Sequence, residues 1–307
     1  MGSRTMSYHR EGCPLYRVLY IVLPLIALVT THYCDCCAAF AGDFQFEGTT
    51  GQIKELMAGS KFIWCGPGTF SRAPSQKEAS KLNRNTPIEV RIEDGFWLGE
   101  TEVTQQLWTD VMKTTPWKGK DEVSSGRERP ACHINFTDVE SFCEKLTKRE
   151  RAAKRIPIGV RYSLPTESQW EYACRAGTNT NYSFGDDESS LSLYAVWLGN
   201  RSLKSTREPR GADVVGLRKP NPWGFRDMHG NVYEWCITSA PGPKPDSDDE
   251  EYRRLATTVL GAIRGGSWGC TAESCRSSER FYQQRSIGGS RVGFRLAVTL
   301  DAPIIGK

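Results

Sequence analysis

Several kinds of active site are excluded by what the sequence lacks. Only two histidines, His133 and His229, lie beyond residue 41, which is too few for a metal centre with three histidine ligands. The sequence has no phosphate-binding loop and no paired zinc-ligand cysteine motifs. The net charge of +4 is too weak to indicate binding to nucleic acid. The candidate functional residues are therefore expected to be of other types than these.

Long hydrophobic runs are also scarce. The run at residues 18–29 is about twelve residues long, whereas a membrane-spanning helix needs roughly twenty. Arginines precede this run and Ala39-Phe40-Ala41 follows it, which is the pattern of a secretory signal peptide. We therefore expect a signal peptide over 1–41, a linker over 42–60, one domain over 61–300, and export to a periplasmic or extracellular location. The alternative is that residues 1–41 remain as an uncleaved membrane anchor.

Glycine and tryptophan are plentiful, with 29 and 9 residues, although only 38% of the chain is apolar. This composition indicates a compact, loop-rich domain with an aromatic core. Helices are predicted after Thr104, from a capping box at Thr137 and from a second capping box at Thr166. Strands are predicted around a Gly-Pro turn at 62–70 and over 90–98, 232–235, 257–268 and 291–299.

The seven cysteines beyond residue 41 are an odd number, so at least one is unpaired or binds a ligand. Two of them, Cys270 and Cys275, share a short stretch with Ser267 and a pair of glycines. Residues five apart on an extended strand point to opposite faces. The two sulfurs can therefore meet only if residues 271–274 curl into a loop.

Four segments resemble one family in the same order along the chain. They are FWLGETEVTQ at 96–105, YSLPTESQWEYACR at 162–175, GFRDMHGNVYEWC at 224–236, and RGGSWGCTAESCRSSER at 264–280 followed by GFR at 293–295. Together they resemble the formylglycine-generating enzyme, or sulfatase-modifying factor, superfamily. The resemblance covers about residues 60–300. It implies an irregular, loop-rich α+β fold related to C-type lectin-like domains.

The resemblance implies a copper site in the last motif. In the enzymes of this family, the cysteines that match Cys270 and Cys275 bind copper(I), and the serine that matches Ser267 lies in the active site. With dioxygen, these enzymes convert a cysteine in an unfolded Cys-x-Pro-x-Arg segment of a sulfatase to formylglycine. Copper(I) is soft and prefers thiolate ligands, so the residue types suit the metal. One departure is Tyr233, where the enzymes carry tryptophan.

The alternative is a binding or scaffold module without catalytic activity. Many relatives carry cysteines only at the positions of Cys236 and Cys275, which implies a disulfide between these two residues. Cys270 would then be a lone thiol, and no copper site would exist. The sequence leaves both hypotheses open.

The resemblance also implies a calcium site in the third motif. Its ligands would be the side chains of Asp227 and Glu234 and the carbonyls of Gly230 and Val232, which are the hard oxygen donors that calcium prefers. The alternative is an Asx-turn at Asp227 and a surface glutamate at Glu234. The expected partner is an unfolded or extended polypeptide such as a sulfatase, with no nucleic acid, and with a membrane only through an uncleaved leader.

Overall fold

The computed structural model describes residues 46–57, 59–72, 87–200, 211–237 and 259–301. The predicted signal peptide lies outside these residues. None of the helices in the described ranges combines the length and the apolar character that crossing a bilayer requires.

The main sheet has five strands, and every neighbouring pair is antiparallel. Its order across the sheet is β1 (Ile53–Met57), β2 (Ser60–Cys65), β5 (Phe96–Gly99), β11 (Ala297–Leu300) and β6 (Val160–Ser163). The last strand of the described chain therefore lies between two strands from its first half. This arrangement brings the end of the domain back into its centre.

A second sheet of four strands carries the residues of interest. Its order is β10 (Val292–Gly293), β7 (Tyr233–Cys236), β8 (Leu260–Arg264) and β9 (Arg280–Gln284), with β10 and β7 parallel and the other pairs antiparallel. A separate hairpin pairs β3 (Gly68–Arg72) with β4 (Ile88–Ile92).

The described residues include three α-helices, and two of them begin where the sequence predicts. Helix α1 (Gln105–Met112) is capped by Thr104, and α3 (Glu167–Arg175) begins with a capping box between Thr166 and Gln169. Helix α2 (Phe136–Ala152) is instead capped by Asn135, because the Asn135 side chain accepts the backbone N–H of Asp138. The start predicted at Thr137 is therefore wrong by about half a turn.

Aromatic side chains fill the core, as the composition predicts. Trp97, Trp108, Trp170 and Trp235 are among the largest fully buried side chains. Trp108 of α1 stacks on Phe142 of α2 with ring centroids 5.3 Å apart, and so fixes the two helices against each other. Such aromatic contacts stabilise a core beyond the area they bury.

One prediction about the first strands is wrong, and one is confirmed. The linker expected over 42–60 contains β1, which pairs with β2 at the edge of the main sheet. The strand, Gly-Pro turn and second strand predicted over 62–70 are confirmed as β2 and β3. These two strands do not pair with each other, because β2 joins β5 in the main sheet while β3 joins β4. Partners distant in sequence decide both outcomes.

Candidate functional site

The two cysteines of the last motif lie on one loop, residues 264–276, which we call the thiol loop. It begins where β8 ends, and Gly265 and Gly266 turn the chain with φ angles of +91° and +78°. A Cβ on Gly266 would lie 2.6 Å from the Cys275 sulfur. Glycine is therefore required here both by backbone conformation and by the approach of the thiol.

The loop closes with a single 3₁₀ turn, Glu273–Cys275, in which the Cys275 N–H donates to the Ala272 carbonyl at 2.9 Å. The curl that a meeting of the two sulfurs would require is thus present. Both thiols belong to one apolar cluster with Tyr182, Leu191, Ala195 and Ala272.

Ser267 lies between the two sulfurs. Its hydroxyl is 3.1 Å from the Cys270 sulfur, and its backbone N–H donates to the Cys275 sulfur. Because Ser267 is fully buried, both contacts are shielded from water. One residue therefore positions both thiols.

The two thiols differ in their surroundings. Cys275 is fully buried, and burial raises the pKa of its thiol far above the ordinary value. Cys270 is only partly buried, and its sulfur lies 3.0 Å from the Tyr233 hydroxyl. Burial likewise raises the pKa of Tyr233, so the phenol keeps its proton at neutral pH.

His229 supports the thiol loop from behind and was not predicted from sequence. Its Nε2 accepts the Ser183 N–H at 3.1 Å, so Nδ1 carries the proton and donates to the Cys275 carbonyl at 2.9 Å. Burial lowers the pKa of His229 to about 4, so the ring is neutral. The only sequence signal was a histidine inside the third motif.

The disulfide between Cys236 and Cys275 is contradicted by the structure. All seven described cysteines are free, and Cys236 packs in a different cluster with Cys65 and Trp170. The reason is strand alternation, since Tyr233 and Cys236 are three residues apart on β7 and point to opposite faces. Tyr233 reaches the thiol loop, so Cys236 points away from it.

The acidic residues of the third motif form a second polar region with Glu102 and Arg295, which we call the carboxylate centre. Here Glu234 is fully buried, so the alternative of a surface glutamate is wrong. Its Oε2 accepts N–H bonds from Trp170 at 2.7 Å and from Arg295 at 2.6 Å, and its Oε1 accepts a second Arg295 bond at 2.7 Å. The remaining Arg295 donors bind three backbone carbonyls, those of Gly99, Glu100 and Arg226.

Asp227 and Glu102 complete the centre, and each has one oxygen without a donor. Asp227 has a left-handed backbone with φ of +60°, and its Oδ2 accepts the Gly216 N–H at 2.6 Å. Glu102 lies within hydrogen-bonding reach of Asp227, yet Glu102 Oε2 and Asp227 Oδ1 have no donor among the described residues. Two such oxygens require a shared proton or a cation. Burial accordingly raises the pKa of Asp227 to about 6 and that of Glu102 well above its usual range.

The two regions differ in how well they fit the metals that the sequence implies. The thiol loop offers two free sulfurs in one cluster, which suits a soft ion. Glu234 does not fit a calcium ion as arranged, because its oxygens already accept three N–H bonds. Asp227 retains an available oxygen, and Gly230 and Val232 lie on the same buried turn. Within the described ranges, no group of three or more His, Cys, Asp or Glu side chains has the arrangement of a metal site.

Comparison with known proteins assigns the chain to one protein family. The family model described as "Sulfatase-modifying factor enzyme 1-like domain" matches residues 49–300. The formylglycine-generating enzyme of Mycobacterium tuberculosis is 27% identical over 61% of this chain and 64% of its own length. The chaperone protein LppX of Paenibacillus barcinonensis is 27% identical over 46% of this chain and 61% of its own. The chain thus spans less than two thirds of these relatives.

The structural comparison confirms the fold that the resemblance implies. PvdO from Pseudomonas aeruginosa superimposes with a TM-score of 0.63 at 24% identity, covering 83% of this chain and 100% of PvdO. The irregular, loop-rich α+β fold predicted from the four motifs is therefore correct.

Proposed function

Because the chain belongs to the family of sulfatase-modifying factor enzyme 1-like domains, we propose that it is an exported oxidase of the formylglycine-generating type. Its substrate is a cysteine in an extended polypeptide, such as a Cys-x-Pro-x-Arg segment of a sulfatase, and its product is formylglycine. The observation that carries the proposal is the pair of free thiols on either side of Ser267 in one loop. Several curated relatives are formylglycine-generating enzymes.

Cys270 and Cys275 are the residues that hold copper(I), which supplies the redox chemistry with dioxygen when bound. Each thiol gives up its proton as it becomes a ligand, and metal binding offsets the burial that otherwise keeps Cys275 protonated. Ser267 keeps both sulfurs in place through its hydroxyl and its N–H. In this proposal the cysteine of the substrate would supply a third thiolate.

The surroundings of the loop suit a polypeptide substrate. Cys275 is buried, so the inner side of the site excludes water, whereas Cys270 is partly exposed. The partly buried rings of Phe184 and Trp197 pack against the same cluster as Cys270. We propose that an extended segment approaches the partly exposed Cys270 rather than the buried Cys275.

The test combines metal binding with conversion of a peptide. The protein is titrated with copper(I), and a Cys-x-Pro-x-Arg peptide is incubated with it in the presence of oxygen and analysed by mass spectrometry. We expect one copper(I) per chain, loss of the peptide thiol and appearance of an aldehyde. Cys270→Ser and Cys275→Ser should abolish both results, whereas Cys143→Ala, a thiol within α2, should retain them. Absence of stoichiometric copper or of the aldehyde in the unaltered protein rejects the proposal.

A binding module that holds calcium is the second candidate. It is favoured by the unpartnered oxygens of Glu102 and Asp227 and by the relative named as a chaperone. The disulfide it implied is absent, which weakens it. A calcium-dependent rise in the melting temperature together with no copper binding would support it over the oxidase.

A further inference from the structure

Positive charge is concentrated around the C-terminal end of α2. Residues 145–161 contain seven Lys or Arg residues and a single acidic residue, Glu150, which is a surplus of six positive charges. The whole chain carries only +4, so the rest of it is slightly acidic. The positive charge is therefore a property of this segment and not of the surface as a whole.

Several of these charged side chains are fixed in position while they remain accessible to solvent. Glu150 is buried and accepts N–H bonds from Arg149 and Arg155, each at 2.9 Å. The side chains of Arg149 and Arg155 are nevertheless 41% and 52% exposed. Arg151 donates to the Asp301 carboxylate at 2.7 Å. One buried carboxylate between two arginines leaves a net positive charge at a defined place.

An isoleucine projects from the same segment. Ile158 is 81% exposed, which is the highest value for a large apolar side chain among the described residues. It lies in a tight turn in which the Val160 N–H donates to the Pro157 carbonyl at 3.3 Å. Gly159 has a φ of +92°, as the third residue of a type II turn requires, and its carbonyl accepts the Asp301 N–H at 2.7 Å. The fold therefore holds this turn in place and presents Ile158 to solvent.

The isoleucine and the cations belong to one surface. Ile158 follows Arg155 by three residues and precedes Arg161 by three. Arg151 donates to the last carbonyl of the turn at 2.7 Å, and it lines one cavity together with Lys148 and Arg161. We call this surface the basic tip, and it comprises Lys148, Arg151, Lys154, Arg155, Ile158 and Arg161.

We propose that the basic tip docks the protein on an anionic phospholipid membrane, with its cations at the headgroup phosphates and Ile158 among the acyl chains. Lys and Arg side chains are attracted by the negative surface potential of such a membrane. An apolar side chain surrounded by cations gains burial only from a partner that is anionic outside and apolar inside, which a bilayer is and a sulfated glycan is not. This contact is separate from the leader expected over 1–41.

The docking surface is also independent of the proposed oxidase chemistry. The basic tip lies on α2, on β6 and on the turn between them, whereas the thiol loop follows β8 of the second sheet. The two share no residue. Docking would therefore bring the protein to a membrane surface without using any residue assigned to copper.

The experiment measures co-sedimentation of the protein with two kinds of vesicle, phosphatidylcholine alone and phosphatidylcholine mixed with phosphatidylglycerol. The unaltered protein is compared with Ile158→Ser and with a double variant, Lys148→Gln with Arg161→Gln. Hydrogen exchange of peptides covering 153–161, with and without vesicles, locates the contact. This local measurement distinguishes the basic tip from binding through the leader.

Each variant has a matched control elsewhere on the surface. Leu217→Ser removes another exposed apolar side chain, which is 61% exposed. Lys118→Gln with Lys120→Gln removes two exposed positive charges and gives the same net charge as the double variant of the basic tip. Melting temperatures equal to that of the unaltered protein confirm that all variants fold.

We expect binding to the anionic vesicles, slower exchange over 153–161 in their presence, and loss of binding at about 1 M salt. Ile158→Ser should weaken the partition coefficient by about tenfold, because the isoleucine no longer enters the acyl chains. The double charge variant should weaken it by a further or similar factor of about ten. Each control should change it by less than about twofold.

Equal affinity for both kinds of vesicle, or unchanged exchange over 153–161, overturns the proposal. The same holds if Ile158→Ser binds like Leu217→Ser. If only the double charge variant loses binding, the surface attracts anions without entering the bilayer, and membrane docking is rejected. All measurements are made without copper, so failure of the oxidase proposal leaves their outcome unaffected.

Discussion

Two neighbouring residues of β7 point into two very different polar regions. Tyr233 faces the thiol loop, and Glu234, on the opposite face of the strand, faces the carboxylate centre. One strand therefore divides a region of thiols and hydroxyls from a region of carboxylates. The resemblance assigns a metal to both, yet their contacts are not alike.

The two regions differ in whether a positively charged side chain contacts their polar atoms. The carboxylate centre contains its own cation, since all five Arg295 N–H groups bind acceptors, two of them on Glu234. The sulfurs of the thiol loop contact the Tyr233 and Ser267 hydroxyls and a backbone N–H, which are all neutral groups. The centre is thus largely complete as folded, whereas the loop is suited to receive a ligand.

Removing Arg295, the cation of the carboxylate centre, should have the largest effect on the free energy of unfolding. Arg295→Leu leaves Glu234 buried without its cationic partner and removes one donor from each of three carbonyls, so we expect the free energy of unfolding to fall by about 4 kcal/mol. Urea unfolding measures the change. Arg91→Ala is the control, because Arg91 and its partner Glu93 are exposed, and we expect it to cost less than about 1 kcal/mol. Similar losses in both variants would contradict a structural role for the centre.

The thiol loop should respond to steric changes rather than to charge. Gly266→Ala places a Cβ against the Cys275 sulfur at a residue with positive φ, so we expect a loss of about 3 kcal/mol together with weaker copper(I) binding. Gly289→Ala is the matched control, since a Cβ there meets nothing within 4 Å. Unfolding curves and copper titration of both variants test this. Unchanged copper(I) affinity in Gly266→Ala would mean that the loop tolerates displacement of Cys275.

Protonation of Asp227, another carboxylate of the centre, should have a smaller effect on the free energy of unfolding. This effect depends on pH. Burial raises the pKa of Asp227 to about 6 in the folded protein, above its ordinary value of about 3.9 when unfolded. The folded state then binds this proton more tightly, so its stability falls as pH rises from about 4 to about 6. Asp227→Asn should remove about 2 kcal/mol of this change, whereas Asp110→Asn, at an exposed position, should leave it intact.

Adding calcium to the unaltered protein and to Asp227→Asn tests whether Asp227 binds this ion. If the ligands expected at Asp227, Gly230 and Val232 bind the ion, adding calcium at pH 7 should raise the melting temperature of the unaltered protein and not that of Asp227→Asn. An equal response in both proteins would count against a calcium site at Asp227.

Features set by neighbouring residues could be predicted from the sequence. Thr104 and Thr166 cap their helices because their side chains reach backbone N–H groups three residues on. The spacing of Cys270 and Cys275 shows that residues 271–274 must curl if the two sulfurs are to meet. The start of α2 was misplaced because Asn135 and Thr137 are both good caps, and only the contacts made by Asn135 decide between them.

Features that depend on distant residues could not be predicted in this way. Arg295 and Glu234 are 61 positions apart, and no local pattern pairs them. Likewise, β1 lies in a segment that reads as a linker until β2 provides its partner. The position of Cys236 could have been foreseen, since alternation along β7 already separates it from Tyr233. The donor that His229 offers to Cys275 required the folded structure.

The position of Arg295 also has a consequence for the order of biosynthesis. Its guanidinium joins carbonyls at residues 99, 100 and 226 to the carboxylate of Glu234, and it lies near the end of the described chain. During synthesis these earlier segments lack the Arg295 donors until residue 295 emerges. The carboxylate centre therefore cannot be completed before residue 295 has been translated.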